Sequence, residues 1–376
     1  MHNLGGTAEV SVPLQVFCNG LFYFLIEGGI YINTKTRMGW LDVMKAIGMF
    51  SIYLAHMPGE LERMHLFLAY FCAPVFFFAG GAVAGKNKDM PIKEFTIRRI
   101  KQVLVPYFVL GIVNMFIRVF VLRPQLGEII QWGRELLRGQ RNYIFATAMW
   151  FLPCIFCAGI VYHVLQKLIK NKWALLAVCT AISLVIRFSI EGSKWWFSFD
   201  TSLRYLFYYA LAAHTVTYID EFSFKKINIT QKILFLGSTA LMFLIFAISF
   251  QFGRGYVPSL FHIELPFYGQ IVETIILGFA STYCIIVFSK ILGNVTGLQN
   301  VGKESLVLCA AEMPAKLLVP VALEAIGLNM QFTSSAHNAV SCIIFLLVGY
   351  YGMAKPIKKY FPYILGIKQN TNKESN

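Results

Sequence analysis

Charge is scarce in this sequence. Of 376 residues, 14% are Asp, Glu, Lys or Arg while 57% are hydrophobic, against roughly a quarter charged in soluble domains. Long polar stretches are missing too. No segment between the apolar runs can close a core of its own, which excludes a separate soluble domain. Acids are outnumbered by bases, 19 to 33, for a formal net charge of +14. The bases cluster in short segments between apolar runs, as a topology signal does, so no nucleic-acid partner is expected. Cysteine lacks a pattern: Cys18, Cys72, Cys154, Cys157, Cys179, Cys284, Cys309 and Cys342 lie almost entirely in apolar runs. Cys154 and Cys157 form a C-x-x-C within WFLPCIFCAGIVY, but no second pair follows. Buried free thiols are expected, with neither a disulfide framework nor a metal site. What these absences leave is an all-α, polytopic integral membrane protein in contact with a lipid bilayer.

The most informative stretch is Trp40 to His56, WLDVMKAIGMFSIYLAH. Asp42 and Lys45 stand one helical turn apart, and an apolar run then leads to His56. Eleven residues separate Lys45 from His56, about 16 Å along a helix and about three turns, so the two share a face. Asp42 joins them. Ionisable groups on one stripe of an apolar helix face a polar cavity within a bundle, because charge in hydrocarbon costs several kcal/mol. A snorkelling Lys45 and an interfacial His56 account for the same residues equally well.

Ten spans are expected from Trp40 onward: Trp40–His56, Leu66–Ala84, a third ending near Leu122, Tyr143–Leu165, then 173–190, 203–219, 233–252, 270–292, 304–326 and 335–354. The second, with Pro74, three phenylalanines and Gly80-Gly81, suits close helix approach. A basic segment follows, with Lys86, Lys88, Lys93, Arg98, Arg99 and Lys101. It reads as a topology signal, and clustered cations at a membrane mouth also suit the phosphates of a carrier such as coenzyme A. Between Arg123 and Asn142, IIQWGRELLRG has the spacing of a surface amphipathic helix. His214 and Glu273 are ionisable residues within spans, His214 reading as interfacial. The loop Phe252–Gly269, with Arg254, His262 and Glu264, reads as an exposed loop or as part of an acceptor site. Lys and Arg counts place both ends of the ten-span core in the cytoplasm, although the arginines 123, 134, 138 and 141 oppose that trend. Residues 1–37 are an atypical extension, read as a leader, an extra hydrophobic segment or sequence upstream of the fold. Residues 355–376 read as a basic, then disordered, cytoplasmic tail.

Several of these stretches together resemble the acyltransferase 3 family of membrane O-acyltransferases. Asp42-x-x-Lys45-Ala-Ile with His56 at Lys-x10-His is similar to the family's Arg/Lys-x10-His. PVFFFAGG resembles its second span, and Arg98-Arg99-x-Lys101 before Pro106-Tyr107 resembles the start of its third. Trp150-Phe151-Leu152 resembles its W-F-L, and Gly302-Lys303-Glu304-Ser305-Leu306 its G-x-x-S-L. The resemblance covers about residues 38–354. It implies acyl transfer, with acetyl the expected group, from cytoplasmic acyl-CoA to a hydroxyl of a surface polysaccharide or lipid-linked glycan at the plasma membrane. Acyl-CoA is then a co-substrate, with no bound cofactor. His56, Lys45 and Asp42 are the implied catalytic group, and Arg98, Arg99, Lys101 and Tyr107 hold acyl-CoA. Phe78, Gly80, Trp150, Ser305 and Glu312 line the cavity. Relatives often carry a histidine after G-x-x-S-L, where this chain has Cys309 and Glu312. A transporter or exporter of a glycan or small metabolite is the alternative, and a structural or sensory subunit leaves Asp42, Lys45 and His56 without a purpose.

Overall fold

The computed structural model describes residues 37–57, 62–192, 194–223, 226–252, 267–328, 330 and 334–366. Residues 253–266, and with them Arg254, His262 and Glu264, fall outside these, as do residues 1–36 and 367–376.

Among the described residues every regular element is helical. The helices are α1 (Gly39–Ala55), α2 (Glu62–Ala82), α3 (Ile92–Arg99), α4 (Val105–Leu122), α5 (Leu126–Arg138), α6 (Phe151–Leu168), α7 (Lys172–Ser189) and α8 (Phe199–Arg204). They continue as α9 (Leu206–Glu221), α10 (Ile229–Phe252), α11 (Phe267–Ile291), α12 (Thr296–Lys303), α13 (Ser305–Glu324), α14 (Ser335–Val348) and α15 (Lys355–Tyr360). A π-helical turn, Ile100–Leu104, joins α3 to α4, and a short 3₁₀ turn, Thr147–Trp150, leads into α6.

Local chemistry marks several ends. Helix α5 opens on a capping box in which Glu128 accepts the Gln125 backbone N–H at 3.0 Å, and it closes on Gly139 at φ +56°. Asn171 caps α7 by accepting the N–H groups of Trp173 and Ala174 at 2.9 and 3.2 Å. Each cap satisfies backbone donors or acceptors that a helix end leaves open.

Among the described residues, seven helical stretches are long and apolar enough to cross a membrane: Ile92–Leu122, Thr147–Leu168, Lys172–Ser189, Ile229–Ile248, Ile271–Ile291, Ser305–Glu324 and Ala336–Tyr360. The chain is therefore a multi-pass membrane protein. The other three expected spans are helical but shorter: α1 has 17 residues, α9 has 16, and the apolar part of α2 is Tyr70–Ala82. Helix α1 is short for a physical reason. It packs against α2, α11, α12, α13 and α14, and Val43, Met44, Met49 and Tyr53 are buried outright. A helix sheathed by protein does not need the roughly 20 apolar residues that a lipid-facing one does.

Apolar side chains gain little by leaving lipid for protein, so close packing carries the assembly. Two glycines make the tightest approaches. A Cβ on Gly81 would lie 1.9 Å from the Tyr209 carbonyl oxygen, and one on Gly302 would lie 1.7 Å from that of Asp42. Gly302 therefore seats α12 directly on α1, beside Asp42. The seven described cysteines are free thiols.

Candidate active site

Of the three α1 residues expected to face a cavity, Lys45 lines one, while Asp42 and His56 are not on its wall. Lys45, Met49 and Ile52 succeed one another at i, i+4 and i+7 along the wall of a cavity of about 820 Å³, open mouth included. Gly80, Ser305, Cys309, Phe76, Phe151 and Arg99 are among its other walls. His56 follows Ile52 by one turn, as the residue that ends α1.

At His56 the chain brings two remote segments together. Nδ1 of His56 lies 2.7 Å from Oε1 of Glu312, and Nζ of Lys316, one turn further along α13, donates to the same oxygen at 2.6 Å. Lys316 also donates to the carbonyls of His56 and Tyr53, at 3.0 and 3.2 Å. Thr147 of the 3₁₀ turn donates its hydroxyl to Glu312 Oε2 at 3.3 Å. The Glu312 side chain is 1% exposed and that of His56 31%. A carboxylate that accepts from an ammonium is ionised, so the imidazole donates from Nδ1, and in its neutral form the lone pair is then on Nε2. Buried carboxylates persist when paired in this way.

The opposite end of the stripe holds a second buried carboxylate. Asp42 accepts from Arg37 Nε at 2.5 Å and from Arg37 Nη2 at 3.0 Å, and Lys45 lies 2.7 Å from its other side. The hydrogen bond to Asp42 raises the Arg37 guanidinium further above its ordinary range. Glu304, at the start of α13, pairs with Lys358 of α15.

The remaining residues singled out from sequence divide. Gly80, Ser305, Lys45 and Arg99 share the cavity wall. The basic trio splits: Arg99 turns inward, whereas Arg98 and Lys101 are exposed, Arg98 donating to Asn87 at 3.2 Å. The π-helical turn beginning at Ile100 shifts the register there. Tyr107 and Phe78 are not where a ligand-lining role puts them. Tyr107 is fully buried and donates its hydroxyl to the Leu136 carbonyl at 2.6 Å, tying α4 to α5. Phe78 is buried in the core, and Phe76, two residues earlier, takes the wall. Trp150 is half-buried, under the Arg141 guanidinium at 4.9 Å. His214 packs on Trp173 with ring centroids 4.2 Å apart.

Sequence reasoning passed over Lys316 and Arg37. Two ionisable residues at i and i+4 in an apolar span, Glu312 and Lys316, were the available signal. Arg37 carried none, since it ended a segment read as separate from the fold.

No curated protein and no solved structure matches the chain. A sequence model of the acyltransferase 3 family, described as an acyltransferase domain, matches residues 38–308. That match takes in α1 with Lys45 and His56, the Arg98-Arg99 segment and Ser305, well over half the chain, and the protein belongs to the acyltransferase 3 family.

Proposed function

We propose that the protein is a membrane O-acyltransferase that moves an acetyl group from cytoplasmic acetyl-CoA to a hydroxyl of a surface polysaccharide or lipid-linked glycan. The plasma membrane, a ten-span core and cytoplasmic ends complete this reading. The observation that carries it is the His56–Glu312 pair, 2.7 Å apart, with Nε2 unpartnered among the described residues, one turn beyond a cavity that also presents Lys45 and Arg99.

The chemistry follows from those positions. Arg99 from the cavity wall, with the exposed Arg98 and Lys101 close by in sequence, offers cations to the CoA phosphates. Nε2 of His56 takes the proton of the acceptor hydroxyl while its oxygen attacks the thioester carbonyl. The C–S bond breaks, and the departing sulfur recovers a proton from the imidazolium. Glu312 fixes the tautomer and stabilises the imidazolium, as a carboxylate beside a catalytic histidine does. Lys316 keeps Glu312 ionised and in place. Asp42 holds Lys45 at the other end.

Mass spectrometry of surface glycans from cells with and without the protein tests this reading. Loss of one acetyl mass increment per modified sugar is the expected result. Identical glycan spectra overturn it.

A further inference from the structure

One group of residues is absorbed neither by the acyl-transfer site nor by membrane topology. The arginines after α4 oppose the positive-inside trend, and no described residue accepts a hydrogen bond from the side chain of one of them, Arg141. Its backbone N–H is held by Ser198 Oγ at 2.9 Å, and Ser198 in turn donates to the Gly139 carbonyl at 3.1 Å. The guanidinium itself lies over the Trp150 ring, 4.9 Å from its centroid. Both side chains are half-buried.

Two more arginines stand nearby. Arg141 is tied through Ser198 to the start of α8, whose last residue is Arg204, and the like charges of Arg141 and Arg187 act on Arg204. Arg204 donates to the carbonyls of Ile190 and Gly192, and Arg187 donates to the Arg204 carbonyl at 3.2 Å while lying over Tyr205. Among the described residues no carboxylate makes an ion pair with any of the three. Asp200 is the acid that acts on Arg204, and its carboxylate accepts the backbone N–H groups of Lys194 and Thr201 at 2.5 and 2.7 Å. Gathering three like charges beside a single acid costs free energy that an anion recovers.

This cluster is joined to the proposed reaction centre by one turn of chain. Thr147, which donates to Glu312, and Trp150, which carries Arg141, open and close the same 3₁₀ turn, about 6 Å apart along its axis. Phe151 comes next, meeting Trp150 edge-on at 6.0 Å and lining the cavity. The part of the half-buried indole that the guanidinium does not cover offers a sugar ring an apolar contact, and the guanidinium, hydrogen-bonded to no described residue, offers its anionic substituent a bidentate partner.

Resting on the acyltransferase reading, we infer that Arg141, backed by Arg187 and Arg204, binds a negatively charged group of the acceptor while Trp150 carries its sugar ring. The acceptor is thereby an acidic glycan, its charge a phosphate or a carboxylate.

The test is titration of the full-length protein, in nanodiscs of phosphatidylcholine, with glucose, glucuronate and glucose 1-phosphate. Coenzyme A binding is measured in parallel. At least one of the two anionic sugars should bind about ten- to a hundredfold more tightly than glucose, the range of a charge-assisted contact; the preferred anion names the source of the charge. Arg141→Gln should abolish that preference and keep coenzyme A binding, while Arg141→Lys retains part of it. Equal binding of all three sugars by the parent, or a preference that survives Arg141→Gln, overturns the proposal. So does loss of sugar binding when phosphatidylglycerol is added to the disc, since a lipid headgroup would then be the ligand. A parent that fails to bind coenzyme A but prefers anionic sugars breaks the acyltransferase reading and leaves the anion site standing.

Discussion

Two buried carboxylates mark the two ends of the α1 stripe, and each holds two basic partners. Asp42 is clasped by Arg37 and Lys45, at 2.5 and 2.7 Å. Glu312 is clasped by Lys316 and His56, at 2.6 and 2.7 Å. The geometry is nearly the same and the chemistry is not. The Asp42 partners are a guanidinium and an ammonium, cations by ordinary chemistry at neutral pH. Imidazole is the one chemical type among the four partners whose ordinary pKa lies near neutrality. The same clasp therefore anchors charge at one end of α1 and, in the proposed reaction, orients a base at the other.

Removing the acid at each end gives the largest effect and breaks the comparison if the two respond alike. Glu312→Ala leaves Lys316 without its buried partner and should cost about 3–5 kcal/mol of stability, read as a lower unfolding temperature in detergent, together with loss of turnover. Glu312→Gln keeps the shape, so it should spare most of the stability and still lose turnover. A Glu312→Gln enzyme as fast as the parent separates the carboxylate from the chemistry.

Gly302→Ala probes the packing that supports the Asp42 end. Its methyl would meet the Asp42 carbonyl oxygen at 1.7 Å, and overpacking of this kind costs about 1–3 kcal/mol or more. Unchanged thermal stability shows that α12 can back away from α1.

Lys45→Ala and Arg37→Ala sharpen the difference in redundancy. Either alone leaves Asp42 one cation, so each should cost no more than about 1–3 kcal/mol, the range for a hydrogen bond to a charged group. The double variant should cost more than the sum, because it strands a buried carboxylate. Strict additivity in a double-mutant cycle contradicts a shared clasp.

The smallest effect is expected from the basic trio at the donor mouth. Arg99→Gln should raise KM for acyl-CoA, whereas Arg98→Gln should change it little, since exposed pairs contribute about 0–1 kcal/mol. Equal shifts for the two mean that orientation toward the cavity is irrelevant.

Much of this arrangement was legible in the sequence, for identifiable reasons. Lys45 and His56 repeat along one helix, and period alone put them on one stripe. Glu312 stood out because it follows G-x-x-S-L, where relatives often carry a histidine, but its partner lies 256 residues away, a distance that no local pattern encodes. Tyr107 and Phe78 show the limit from the other side. A run of three phenylalanines does not say which ring faces the cavity, and Phe76 takes that place. A tyrosine after proline likewise gives no sign that its hydroxyl is committed to Leu136. Span count failed to resolve for a related cause. Hydropathy measures contact with lipid, whereas α1, the helix with the proposed chemistry, is enclosed by other helices.

The central claim is that His56, oriented by Glu312, is the base in acyl transfer. Its most direct test is acetyl-CoA consumption with a glycan acceptor by purified parent and His56→Ala protein in nanodiscs. The account predicts a folded variant slowed by about 10²–10⁴-fold, the range that general-base catalysis supplies. A His56→Ala protein with parent-like turnover would contradict it.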